Sequence, residues 1–191
     1  MNRTADVVIV GAGVIGSATA FELTKRGYKT LNIDKLPASG YGSTSNSCAI
    51  VRAHYSTWDG VAMAYEGFFY WDDWNKYLEV EDERGMAKYM KTGSIMFMLK
   101  GADHSKKSLN LFKEIGVEHE IWDLETLKKK MPIYSHDSYN GTSRPDEDDS
   151  FFDKSGDQIE GAVWTPGSGY VNDPQLATHN LQVCLLYTSP S

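Results

Sequence analysis

Val7 to Val10 is an unbroken run of β-branched apolar residues, the pattern of a buried parallel strand. Val14, Ala18 and Phe21 follow at i, i+4 and i+7, which predicts a helix that stops at Gly27. Thr30 to Ile33 reads as the next strand and ends at Asp34, completing a βαβ unit with a right-handed crossover as the expectation. Pro37 to Ser47 is a loop of small polar residues, and Ala49 to Val51 a short extended piece. From Gly60 to Leu78 apolar groups recur at Val61, Ala64, Tyr65, Phe68, Trp71, Trp74 and Leu78. That is helical spacing, and the aromatic stripe reads as core packing. Further on, "GSIMFMLK" predicts a strand and "DHSKKSLNLFKEIG" a helix capped by Asp103 and ended by Gly116. "HEIWD" predicts another strand. "DLETLKKKMP" is a short helix with Asp123 as N-cap and Pro132 closing it. "GAVWTPGSGYV" carries the punctuation of a hairpin or bent strand, and "DPQLATHNLQV" opens a helix with Pro174 in its first turn. The alternation predicts α/β organisation in the first third and a mixed α+β region after it.

Composition narrows the function classes. An apolar fraction of 41% with 12% aromatics supplies a packed core. A net charge of −7 argues against nonspecific nucleic-acid binding, which needs a basic footprint. Part of that charge is the run Asp146 to Asp149, read as a solvated loop. Cys48 and Cys184 are the two cysteines, too few for a zinc site or a disulfide framework, which fits a reducing, cytoplasmic setting and no metal. Val7 to Phe21 has the outline of a signal peptide, but three glycines interrupt it and Asp6 abuts it, so strand-turn-helix is the better reading. No stretch approaches the eighteen apolar residues of a membrane span. The last eight residues, "CLLYTSPS", differ in character from the rest. One reverse translation of them resembles a transposon-end adapter, so residues 184–191 are expected to be a non-native tail on a gene that continues.

Gly11, Gly13 and Gly16 form G-x-G-x-x-G between the first strand and its helix. Gly11 permits the tight turn, Gly13 lets the backbone approach a pyrophosphate, and Gly16 allows close helix-strand packing. Val14 and Ile15 lie in the same turn, where the helix N-terminus offers free N–H groups to phosphates. Asp34, 23 residues after Gly11, suits a ribose diol and would repel the 2′-phosphate of NADP. The βαβ unit fits NAD and FAD equally.

With this fingerprint in front of it, "GSTSNSCAIVR", Gly42 to Arg52, resembles the D-amino-acid oxidase and sarcosine oxidase family of FAD-dependent amine oxidoreductases, nearest the sarcosine oxidase and dimethylglycine dehydrogenase branch. Weaker matches continue through "TGSIMFM", "LFKEIGVEHEIWDLETLKKKMP" and "GAVWTPGSGYVNDPQLATHNL". The resemblance implies FAD as cofactor and an incomplete D-amino-acid oxidase fold: a Rossmann-type FAD-binding portion over residues 1–90, part of a substrate domain over 91–175, and a returning helix over 176–183. It implies Ser43 and Thr44 at the diphosphate, Ser45 on the flavin side, Lys35 beside the adenosine, and Arg52 on a substrate carboxylate. Arg52 follows two apolar residues in an otherwise uncharged stretch, where a guanidinium is costly to bury without an anion; it can hold a carboxylate bidentately, and a structural salt bridge with an internal acid is the alternative. His54 and Tyr55 are close enough in sequence to face the same pocket. Relatives carry a flavin-linking histidine, or a histidine and second arginine, where this chain has Ser45, Asn46, Ser47 and Ala49, so no covalent link is expected in this loop. The implied reaction is hydride transfer from a small amino acid or N-methylated amino acid to flavin, with other subunits or an electron carrier as possible partners. An NAD-dependent dehydrogenase and a non-catalytic flavin-holding subunit are the alternatives. A chain lacking the remaining flavin-domain strands is expected to bind FAD poorly and to be inactive alone.

Overall fold

The first strand forms where the apolar run predicts it. In a computed structural model describing residues 4–101, 103–139, 144 and 146–188, the elements run β1 (Val7–Val10), α1 (Val14–Lys25), β2 (Thr30–Ile33), β3 (Ile50–Val51), α2 (Trp58–Asp72), α3 (Trp74–Leu78), β4 (Tyr89–Met90) and β5 (Ser94–Met98). They continue with α4 (Asp103–Ile115), β6 (Glu120–Asp123), α5 (Leu124–Lys130), β7 (Asp137–Tyr139), β8 (Lys154–Gln158), β9 (Gly161–Thr165), β10 (Gly169–Val171) and α6 (Pro174–Thr188). The chain divides into two compact units interleaved in sequence. One comprises Met1–Val51, Gly67–Lys91 and Gly169–Ser191, the other Arg52–Glu66 and Thr92–Ser168. Segment Arg52–Glu66 thus clusters with the later residues, and the chain returns to the first unit at Gly169.

In the first unit β1 and β2 are parallel, with Val7 opposite Thr30 and Val10 opposite Ile33. Helix α1 connects them and packs on α6. Its core holds Phe21, Trp74, Leu78, Val171, Leu181 and Cys184. Among the described residues no third strand joins β1 and β2, so β1 alternates half-buried and exposed positions instead of being buried on both faces. Val8 is 56% exposed and Val10 83%. A three-stranded antiparallel sheet in the order β3-β10-β4 completes the unit. A buried hub ties α6 to α3 and to the 82–87 loop. Asn180 Oδ1 accepts from Trp74 Nε1 at 3.3 Å and from the Ala87 amide at 3.0 Å. Its Nδ2 donates to Asp82 Oδ2 at 2.8 Å and to the Gly85 carbonyl at 3.0 Å.

The second unit is built on the antiparallel sheet β5-β9-β6. Cross-strand partners share a face. Ile95 and Trp164 therefore lie on the face that packs with Trp122, Leu127 and Ile159, while their neighbours Ser94 and Thr165 point to the other. Asp123 caps α5 as expected, its side chain accepting from the Thr126 amide at 2.8 Å.

Several expectations change. The Gly60–Leu78 stripe is two helices, because Asp73 (φ −124°, ψ 49°) breaks the first. The spacing survives the break, since Trp71 and Trp74 still stack at 4.5 Å. Asp103 lies within the first turn of α4. The two halves of "GAVWTPGSGYV" do not pair: β9 sits between β5 and β6, and β10 between β3 and β4. Strands β4, β7 and β8 carry no apolar signature; β8 is exposed throughout, and Lys154 meets Asp137 at 2.6 Å across the β7–β8 ladder. In the terminal stretch Cys184 is buried beside the Leu78 carbonyl, and residues 189–191 lie outside the described residues.

Candidate functional site

Residues 11–16 fold as their glycines require. Gly11 has φ +112°, a conformation that disfavours any side chain, and its amide donates to the Ile33 carbonyl at 2.8 Å. A Cβ on Gly16 would overlap the Gly11 carbonyl oxygen, so only glycine lets α1 begin this close to β1. Gly13 is the N-cap of α1 and supplies no side-chain cap. Thr44 does so from a distant loop: its Oγ1 accepts from the Val14 amide at 3.2 Å. The same loop is stitched to the turn by the Gly40 amide, which donates to the Ala12 carbonyl at 3.0 Å. The first-turn amides of Ile15 and Gly16 have no acceptor within the helix by its geometry.

Asp34 closes the arrangement. Its Oδ2 accepts from the Ala12 amide at 2.7 Å and its Oδ1 from the Leu36 amide at 2.9 Å. These backbone donors, Ala12 first, hold the carboxyl below the usual aspartate range. An ionised carboxylate has about four acceptor positions, so these amides leave acceptor capacity for a ribose hydroxyl. Asp34, Lys35, Val10 and Gly11 line a cavity of about 570 Å³. A second, mainly apolar cavity of about 210 Å³ touches Val14, Thr44, Ala49, Val51, Trp71 and Pro174. Trp71 and Pro174 escaped the sequence reading because nothing in a core-like aromatic stripe or a helix start marks a cavity wall.

The structure therefore brings Gly11, Gly13, Val14, Gly16, Thr44 and Asp34 into one constellation. The Ile15 side chain stands 81% exposed. Ser43 and Ser45 are exposed on the loop, where Ser45 Oγ donates to the Gly42 carbonyl at 3.0 Å. Ala49 adopts φ +52°, its amide donating to Ser47 Oγ at 2.9 Å.

Arg52, His54 and Tyr55 belong to the second unit. Arg52 is exposed and forms no ion pair among the described residues. Tyr55 is exposed. His54 is buried, with Nε2 at 2.8 Å from both Ser94 Oγ and Thr165 Oγ1, its ring 5.4 Å from that of Phe112. Burial, with Arg52 and His104 adding to it, pushes the imidazole down to about 4. Among the described residues no cluster of three His, Cys, Asp or Glu side chains could hold a metal ion, and no helix is long and apolar enough to cross a membrane.

The family model described as FAD dependent oxidoreductase matches residues 6–185. The chain belongs to this family. Curated relatives include a putative sarcosine oxidase of Caenorhabditis elegans, 31% identical over 147 residues, which are 76% of this chain and 36% of that protein. The monomeric sarcosine oxidase of Bacillus sp. (strain B-0618) is 28% identical over 149 residues, 76% of this chain and 37% of the relative. The chain thus spans a little over a third of the length of these relatives. Among solved structures, L-proline dehydrogenase from P. horikoshii superposes with a TM-score of 0.73 at 20% identity, covering 98% of this chain and 43% of that one. Glycine oxidase from Geobacillus kaustophilus gives 0.67 at 20%, covering 97% and 45%. These likenesses show the fold, a mixed α/β fold present in part. The residues fit the family's cofactor. The Gly13 position is a cradle in which an added Cβ would come within 3.1 Å of Thr44 Oγ1, and the uncapped amides of α1 and the spare acceptors of Asp34 match a diphosphate and a ribose.

Proposed function

We propose that this flavoprotein oxidises a small amino acid or N-methylated amino acid of the sarcosine and dimethylglycine class. The observation that carries the reading is the constellation of glycine turn, Thr44 and Asp34. The names of the curated sarcosine oxidases support sarcosine as a candidate, and the resemblance of the Gly42 to Arg52 loop extends the reading to dimethylglycine. In this reading the α1 amides and Thr44 hold the diphosphate, Asp34 and Lys35 the adenosine end, with Ser43 toward the phosphates and Ser45 on the flavin side. The first unit is the FAD-binding portion and the second contributes to substrate binding. Arg52, exposed and without an ion-pair partner among the described residues, holds the substrate carboxylate as a bidentate clamp. When bound, flavin would supply the two-electron acceptor for hydride leaving the carbon beside nitrogen, and the iminium left on the substrate would be hydrolysed by water. The chain's own residues bind and orient; His54, held neutral by burial, adds no second positive charge beside Arg52. The cytoplasmic assignment rests on cysteine usage alone. Electron carriers or further subunits enter as partners only through this reading.

The test is purification of the complete gene product. A yellow protein whose flavin bleaches anaerobically with sarcosine, dimethylglycine, glycine or proline supports the proposal. A flavin that none of these reduces overturns the substrate class, and a colourless protein that binds NAD overturns the assignment as a whole.

A further inference from the structure

Arg52 opens the second unit, and the three residues after it are fixed unusually well for a loop. Ala53 is fully buried. The His54 imidazole lies between the Ser94 and Thr165 hydroxyls, which are themselves 3.3 Å apart and face each other across the β5–β9 ladder. The Tyr55 carbonyl accepts from Ser108 Oγ of α4 at 3.1 Å, and its amide donates to the Ala53 carbonyl at 2.8 Å. On the other side of Arg52, Val51 is held in register with Gly169 of β10. Among the described residues the Arg52 side chain has no ion-pair partner.

We propose that His54 is the positioning residue of the carboxylate clamp: its imidazole, tied to Ser94 and Thr165, fixes the backbone from which Arg52 projects. The inference rests on the reading of Arg52 given above. Two residues span at most about 7 Å, so a shift of the His54 anchor reaches the Arg52 Cα almost undiminished. The tautomer follows from the surroundings. His54 Nδ1 is buried with no hydrogen-bond partner. An orphaned N–H is rarer than an unused lone pair, so the proton sits on Nε2 and donates to the two hydroxyls. Burial and the nearby charges of Arg52 and His104 keep the ring neutral. A neutral, doubly tethered ring does not transfer protons; it acts through geometry. Long arginine side chains lose rotamer freedom on clamping a carboxylate, and a fixed backbone reduces what remains to be ordered.

The test uses the flavin-loaded complete protein, with sarcosine as substrate and acetate as competing carboxylate. His54→Leu is expected to raise the KM for sarcosine and the inhibition constant of acetate together, by about ten- to a hundredfold, with kcat and flavin content retained. His54→Gln, whose amide nitrogen still donates to the hydroxyls, restores both. In an Arg52→Met background, His54→Leu adds nothing. Should His54→Leu fail to fold, Ser94→Ala with Thr165→Val removes the same tethers and is expected to raise the same two constants. A loss of flavin or kcat with unchanged KM shows a merely structural histidine and overturns the proposal. If Arg52→Met raises KM and acetate inhibition but neither His54→Leu nor the hydroxyl pair does, the positioning role alone fails. If Arg52→Met leaves both constants unchanged, the clamp reading fails and takes the positioning role with it.

Discussion

Replacing Asn180 by leucine removes a side chain of similar size and all four of its hydrogen bonds at once. The amide is 1% exposed, and its orientation is fixed by its neighbours. Trp74 Nε1 and the Ala87 amide can only donate, while the Gly85 carbonyl can only accept, as does Asp82 when ionised. Leucine leaves two donors and two acceptors facing hydrocarbon. Each orphaned group costs about 1–3 kcal/mol, most for the Asp82 carboxylate, which His179 Nε2 approaches at 3.3 Å and the Arg84 amide at 2.9 Å. Some of that is recovered by the extra apolar contact and by shared relaxation, so we expect a net loss of about 4 kcal/mol. A domain's whole stability is about 5–15 kcal/mol, so the variant is marginal. Urea unfolding followed by far-ultraviolet circular dichroism checks this. A leucine variant within about 1 kcal/mol of the parent refutes the reasoning, because four orphaned groups cannot be so cheap.

His54 gives an acid-sensitivity with a definite sign. Its folded value near 4 lies below the ordinary 6.5, so between those values the unfolded chain binds a proton that the folded one does not. Stability should fall as pH drops through that window, by up to about 1.4 kcal/mol per pH unit, and His54→Gln should remove that share of the slope; identical slopes in urea titrations of the two proteins would exclude it. Gly16→Ala drives a Cβ into the Gly11 carbonyl, so the complete protein is expected to lose its flavin absorbance per chain, and full occupancy would show the turn to be more pliant than described. Ala49→Gly relieves a left-handed alanine at φ +52° and is expected to stabilise the first unit by about 1 kcal/mol, read as a raised Tm; a lowered Tm would mean that the methyl group's packing outweighs the backbone strain.

Local rules determined the beginning of this chain. A β-branched run, a glycine turn and an acid at the end of the second strand specify strand, turn, helix and strand with little help from elsewhere, because each depends on backbone conformations set within a few residues. The N-cap of α5 at Asp123 was legible for the same reason. What tertiary structure decided is everything that required a distant partner. Thr44 caps α1 from 30 positions away, and Asn180 satisfies groups on two other segments, α3 and the 82–87 loop. The turn after Thr165 sends β10 to a different sheet, since pairing depends on which strands are free to accept it. Arg52 is exposed, and two positions later His54, which reads as a loop histidine, is the one in the core. Alternation along so short and irregular a segment carries no face information; only the hydroxyls of Ser94 and Thr165, 40 and 111 residues away, give the imidazole a reason to turn inward.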